Sequence, residues 1–96
     1  MEGTASVAGD VLASYAADAA REVEGVAGLV EGRLPRQGAV RIGDEHGLTV
    51  ELHLQLARDA VAQEVGAEVQ RRVADYLERM AGKRPQTVDV VIDEVA

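Results

Sequence analysis

The chain has 96 residues, which fit one domain (1–96) and leave too little for a second core. Seventeen acidic against ten basic residues give a formal charge of −7, which repels polyanions and argues against nucleic acid or bare anionic lipid as a partner. Cysteine, phenylalanine and tryptophan are absent and the only rings besides histidine are Tyr15 and Tyr76, which excludes thiol chemistry and leaves flat ligands no platform to stack on.

In chain order, "TASV" (4–7) reads as a short β-prone segment. From Asp10 to Glu24 the apolar residues Val11, Leu12, Tyr15, Ala16, Ala19 and Val23 recur at helical spacing. Gly25 suits the end of that helix, since glycine takes the left-handed conformation without penalty. "VAGLV" (26–30) reads as a strand and "GRLPRQG" (32–38) as a loop marked by Pro35 and two glycines. "AVRI" (39–42), the turn "GDEHG" (43–47) and "LTVELHLQLA" (48–57) form an expected hairpin. In its second arm Leu48, Val50, Leu52, Leu54 and Leu56 alternate with Thr49, Glu51, His53 and Gln55, the pattern of a strand buried on one face.

Asp59 is a candidate N-cap for a second helix, whose apolar stripe is Val61, Val65, Val69, Val73, Tyr76, Leu77 and Met80. Glu68 with Arg72 and Asp75 with Arg79 are opposite charges four apart on that helix. Gly82 ends it, and "TVDVVIDEV" (87–95) is the last strand. The expected order is therefore β-α-β-β-β-α-β: an α+β two-layer sandwich with two helices packed on one face of a mixed sheet. "MEGTASVAGD" shows no basic region followed by an apolar core, so no signal peptide is visible. No stretch approaches the ~18 apolar residues of a membrane span, and the expectation is a soluble cytoplasmic protein without direct membrane insertion.

Three groups of residues invite a functional reading. Gly25 to Gly28 is a GxxG, a spacing that some phosphate-gripping loops use, but Glu22, Glu24 and Glu31 surround it and Arg21 is the one nearby cation. A helix-to-strand joint is the better reading, because a phosphate needs a favourable field. Glu51 and His53 share the outer face of the long strand, and Asp89 and Asp93 would join them if the last strand lies alongside. Polar residues are what a solvated sheet face requires, and no catalytic, cofactor-binding or metal-ligating spacing is present. Arg33, Arg36 and Arg41, with Lys83 and Arg84, read as solvated loop residues or as a candidate surface for an acidic protein partner. Alternation also places Val91 and Val95 on the outer face of the last strand, as edge-strand packing or as a contact to another chain.

The joint "EVEGV", with Glu22, Val23, Glu24, Gly25 and Val26, resembles the signature of the alkaline-shock-protein family, also called the Gls-type general stress family. The resemblance continues through "GLTVELHLQL", the helix "VGAEVQRRVADYLERMAG" and the closing "VDVVIDEV", and spans the chain from about Gly3 to Val95. The chain departs from the family pattern in "VAGD" before the first helix, in "ARDA" (57–60) after the long strand, and in the arginine-bearing "EGRLPRQG". The resemblance implies a non-enzymatic protein of cell-envelope stress and homeostasis, with no cofactor and no catalytic residue. It implies self-association, and docking to a small membrane-anchored member of the same family that would hold the protein beneath the membrane. The alternative it offers is a regulatory module that binds a metabolic enzyme such as acetyl-CoA carboxylase.

Overall fold

A computed structural model describes residues 2–31 and 38–96. Helix α1 (Glu2–Arg21) is followed by β1 (Val26–Leu29), β2 (Val40–Gly43), β3 (Thr49–Leu56), helix α2 (Ala62–Ala81) and β4 (Thr87–Val95). The order is α-β-β-β-α-β, and the strand expected at 4–7 is instead part of α1. Extending an existing helix by a turn adds a hydrogen bond for each residue fixed, whereas four isolated β-prone residues gain nothing without a neighbouring strand.

β3 holds the sheet together. On one side it pairs with β4 in parallel, in register Val50↔Val88 and Leu52↔Val90. Both β1 and β2 pair with it antiparallel, β1 against its C-terminal half and β2 against its N-terminal half. The backbone of His53 shows that these two lie end to end on the same edge. Its N–H donates to the Ala39 carbonyl (2.9 Å) and its own carbonyl accepts from the Val30 N–H (2.8 Å). The N–H and C=O of one strand residue point to the same side, so the four strands make a sheet only three wide.

Leu48 and the inward residues of β3, Val50 to Leu56, are all buried, and both helices cover this one face. From α1 come Leu12, Ala16, Ala19, Ala20 and Val23; from α2 come Val65, Val69, Val73 and Leu77. The two fully buried alanines let α1 approach closely. Tyr15 meets Tyr76 edge to face, 5.8 Å between ring centres, tying the helices together at a value of about 1 kcal/mol beyond their buried area. The stripes are narrower than expected: Val11, Val61 and Met80 are exposed.

The ends of α2 divide between confirmation and correction. Gly82 is left-handed (φ 70°) and its N–H donates to the Glu78 carbonyl, closing the helix as expected. Asp59 does not cap the start; Val61 takes that place without a side-chain bond, and Asp59 occupies the left-handed region (φ 71°) in the tight turn after β3. Aspartate is among the few side chains that tolerate that conformation.

Glu68 does pair with Arg72 (3.1 Å), and more closely with Arg71 (2.6 Å). Those hydrogen bonds, Arg71 first and then Arg72, hold its carboxyl below the ordinary range. Asp75 turns away from Arg79, toward Arg71 and Arg84, while Arg79 lies over the Tyr76 ring at 5.8 Å. A ring neighbour three residues away competes with an exposed carboxylate already paired elsewhere, because an exposed ion pair is worth little.

Candidate functional site

The face of the sheet opposite the helices carries the polar half of β3: Thr49, Glu51, His53 and Gln55, all half-buried. The condition the sequence left open is met: β4 lies beside it and sets Asp89 opposite Glu51 and Val91 opposite His53. The ladder then slips: Leu54 faces Ile92, but Gln55 faces Glu94, so Asp93 is an extra residue in β4. A bulge of this kind bends the strand and resets which side chains point outward.

The bulge gathers a carboxylate–imidazole–carboxylate row. His53 Nε2 lies 2.7 Å from Glu51 Oε2 and Nδ1 lies 2.7 Å from Asp93 Oδ2. Gln55 Nε2 donates to Glu94 Oε1 at 3.4 Å in the next rank. An imidazole bonded to a carboxylate at both nitrogens makes both bonds only when both nitrogens carry protons. The Glu51 hydrogen bond, and after it that of Asp93, accordingly raises the His53 pKa above its ordinary 6.5, against a smaller opposing effect of burial.

The raised value has a consequence for stability, with a definite sign. The folded state holds the proton more tightly than the unfolded chain. The contribution is therefore fully present below pH ~6.5, where the unfolded histidine is also charged, and is lost as pH rises through the folded value. Half-buried pairs of this kind give less than about 1 kcal/mol. His53→Gln should lower stability more at pH 5.5 than at pH 9 in urea melts. Equal losses at the two pH values would show that the row is not charged.

A doubly bonded imidazolium is a poor base and has no free lone pair for a metal. Among the described residues no group of three His, Cys, Asp or Glu side chains is arranged to hold a metal ion. Neither of two surface grooves reaches the row. One, about 540 Å³, lies between Ala19 of α1, Glu22 just after it, and Arg71, Tyr76 and Arg79 of α2. The other, about 350 Å³, lies between Ser14 and Arg21 of α1 and Leu29 and Val40 of the sheet. His46 is exposed in the β2–β3 turn, away from both.

The remaining candidates separate. Val91 is on the outer face, half-buried beside Asp89. Val95 is not its neighbour there: the bulge at Asp93 sets it opposite the inward residue Leu56, and it is 64% exposed at the end of the sheet. The signal was present in the spacing, since Val90 and Ile92 are two apart but Ile92 and Val95 are three. Arg33 and Arg36 lie outside the described residues. Arg41 is exposed on the outer face, in register with Glu51, and Arg84 is taken up by Asp75 and Glu78.

The GxxG is a joint. Gly25 is left-handed (φ 102°), its carbonyl accepts from the Ala57 N–H (2.7 Å), and a Cβ there would lie 2.5 Å from Val65 Cγ2. Its backbone is packed against α2 and bonded to the residue after β3.

The chain matches no protein-family model, no curated protein and no solved structure.

Proposed function

We propose that the chain is a non-enzymatic interaction protein of cell-envelope homeostasis, self-associating and docking to a membrane-anchored relative. The observation that carries this reading is the one-sided sandwich. Helices cover one face of the sheet, and the described residues leave the other face and the β4 edge open. Its one histidine–carboxylate row is satisfied internally, a supporting argument against chemistry at that face. No described helix is long and apolar enough to cross a membrane; in this reading the membrane-proximal location comes through the anchored partner. The stress-response context comes from the resemblance of the "EVEGV" joint and the three segments after it.

The test is crosslinked affinity purification from the native cell. A small membrane-anchored relative, recovered with the bait in the membrane fraction, is the expected result. Recovery of a soluble biosynthetic enzyme such as acetyl-CoA carboxylase would move the protein to the regulatory class instead. In solution, light scattering should find more than one chain per particle. Val95→Lys, at the most exposed large apolar residue among those described, should shift the protein toward monomer. A wild type that stays monomeric at millimolar concentration would remove self-association from the reading.

A further inference from the structure

We propose that the free edge of β4 accepts an extended segment of a partner protein, in which two basic side chains flank an apolar one at alternate positions. The inference rests on the interaction-protein reading and names a surface and a partner chemistry within it.

β4 is the longest strand, nine residues, and its sheet pairing is with β3 alone. Gln70 of α2 donates to the Val88 carbonyl at 2.9 Å, so that carbonyl points away from β3, off the free edge. Backbone groups alternate along a strand, which puts the N–H and C=O of Val90 and Ile92 on the same edge. None of the described backbone hydrogen bonds outside the ladder takes them. An edge with unpaired groups is a template for another strand, and an added strand gains affinity from main-chain bonds and specificity from its alternate side chains.

The side chains that would face the newcomer on the outer surface are Asp89, Val91 and Asp93, with Glu94 brought alongside by the bulge. Asp89 makes no ion pair among the described residues, and Glu94 has only the long Gln55 bond. Asp93 shares its charge with His53. Opposite such a rank, cross-strand pairing favours a basic side chain against Asp89, an apolar one against Val91 and a basic one against Asp93 and Glu94. The pattern reads the same in both directions, so it serves a parallel or an antiparallel guest.

The same charges work against the most available wrong guest. A second copy of β4 would lay a row of carboxylates along another, and the bulge limits the regular part of the edge to residues 88–92. Acidic residues and a bulge are usual defences against indiscriminate edge pairing; here they leave a basic strand as the guest that meets no repulsion.

The experiment uses the full chain, isotope-labelled, and a fluorescein-tagged nine-residue peptide with Lys at positions 3 and 7, Val at 5 and Thr elsewhere. Anisotropy titration should show binding about tenfold tighter than that of the Glu-for-Lys peptide, and about tenfold weaker to the doubly substituted Asp89→Asn/Glu94→Gln protein. Both substitutions are on the surface, and circular dichroism checks the fold. The amide signals of Val90 and Ile92 should move most. N-methylating the peptide at odd or at even positions should abolish binding in one case and spare it in the other, because only every second N–H faces the edge.

Equal binding of the Lys and Glu peptides would overturn the proposal. So would equal tolerance of both methylation patterns, signals that move on the helices, or absence of binding. A peptide copying β4 itself that binds as tightly as the Lys peptide would assign the edge to a second copy and overturn it too. A failed peptide beside a successful recovery of the membrane-anchored relative would dismiss this edge and leave the interaction reading standing.

Discussion

Leu52→Ala should lower the free energy of unfolding by about 3 kcal/mol, within the range for a fully buried leucine. Leu52 is completely buried at the centre of β3, with Val40 beside it on one side and Val90 on the other. Truncation loses the transfer free energy of the removed carbons and leaves a hole walled by neighbours that the sheet hydrogen bonds hold in place. A domain of this size is stable by roughly 10 kcal/mol, so the loss is a sizeable fraction of the total. The melting temperature should drop by roughly 12–24 °C. Urea melts should show a lower midpoint with an unchanged slope. Val61→Ala, at an exposed position, should change stability by less than about 0.5 kcal/mol. If the two variants lose similar amounts, β3 is not the packed centre described above.

Gly25→Ala should cost about 2–5 kcal/mol, for two separable reasons. The left-handed backbone at φ 102° burdens any side chain by roughly 1–2 kcal/mol. A methyl group there would also meet the side chain of buried Val65 at 2.5 Å, and overpacking of that kind costs about 1–3 kcal/mol. Gly82→Ala isolates the first part: Gly82 is left-handed too, but nothing lies within 4 Å of its absent Cβ. Its alanine variant should lose only about 1 kcal/mol. A double-mutant cycle with Val65→Ala tests the second part, since removing the valine methyls should cost less in the Gly25→Ala background than in the wild type. Strict additivity would mean that the joint relaxes away from α2 and that Val65 is not its constraint.

Much of the architecture was legible because it depends on periodicity. β3 alternates without error, so its buried and open faces were known before its neighbours were. Gly25 and Gly82 were readable as stops because the left-handed conformation leaves few other choices. What escaped was set by tertiary context. "TASV" carries two β-branched residues, yet it continues a helix that starts beside it. Asp59 has the chemistry of a cap but is needed in a tight turn. The open face was half legible: alternation put Glu51 and His53 on one outer face and Asp89 and Asp93 on another, but it could not announce the pairing that brings the two together, nor the bulge that joins Asp93 to His53 and swings Val95 to the other side. The relevant spacing, Ile92 to Val95, is a single departure from a two-residue rhythm, and rhythm alone does not say which strand yields.

Every strand pair in the sheet includes β3, and none of the other three strands pairs with another. The sheet is thus a hub with spokes, and its fluctuations should divide accordingly. β1, β2 or β4 can each open without breaking a ladder between the other two, whereas β3 cannot open until all have let go. Amide hydrogen exchange should therefore rank the inner amides of β3 as the slowest in the sheet, opening only with global unfolding, with the spokes exchanging through separate local events. Such a domain can lend out one edge strand to a transient partner while its centre stays closed to solvent.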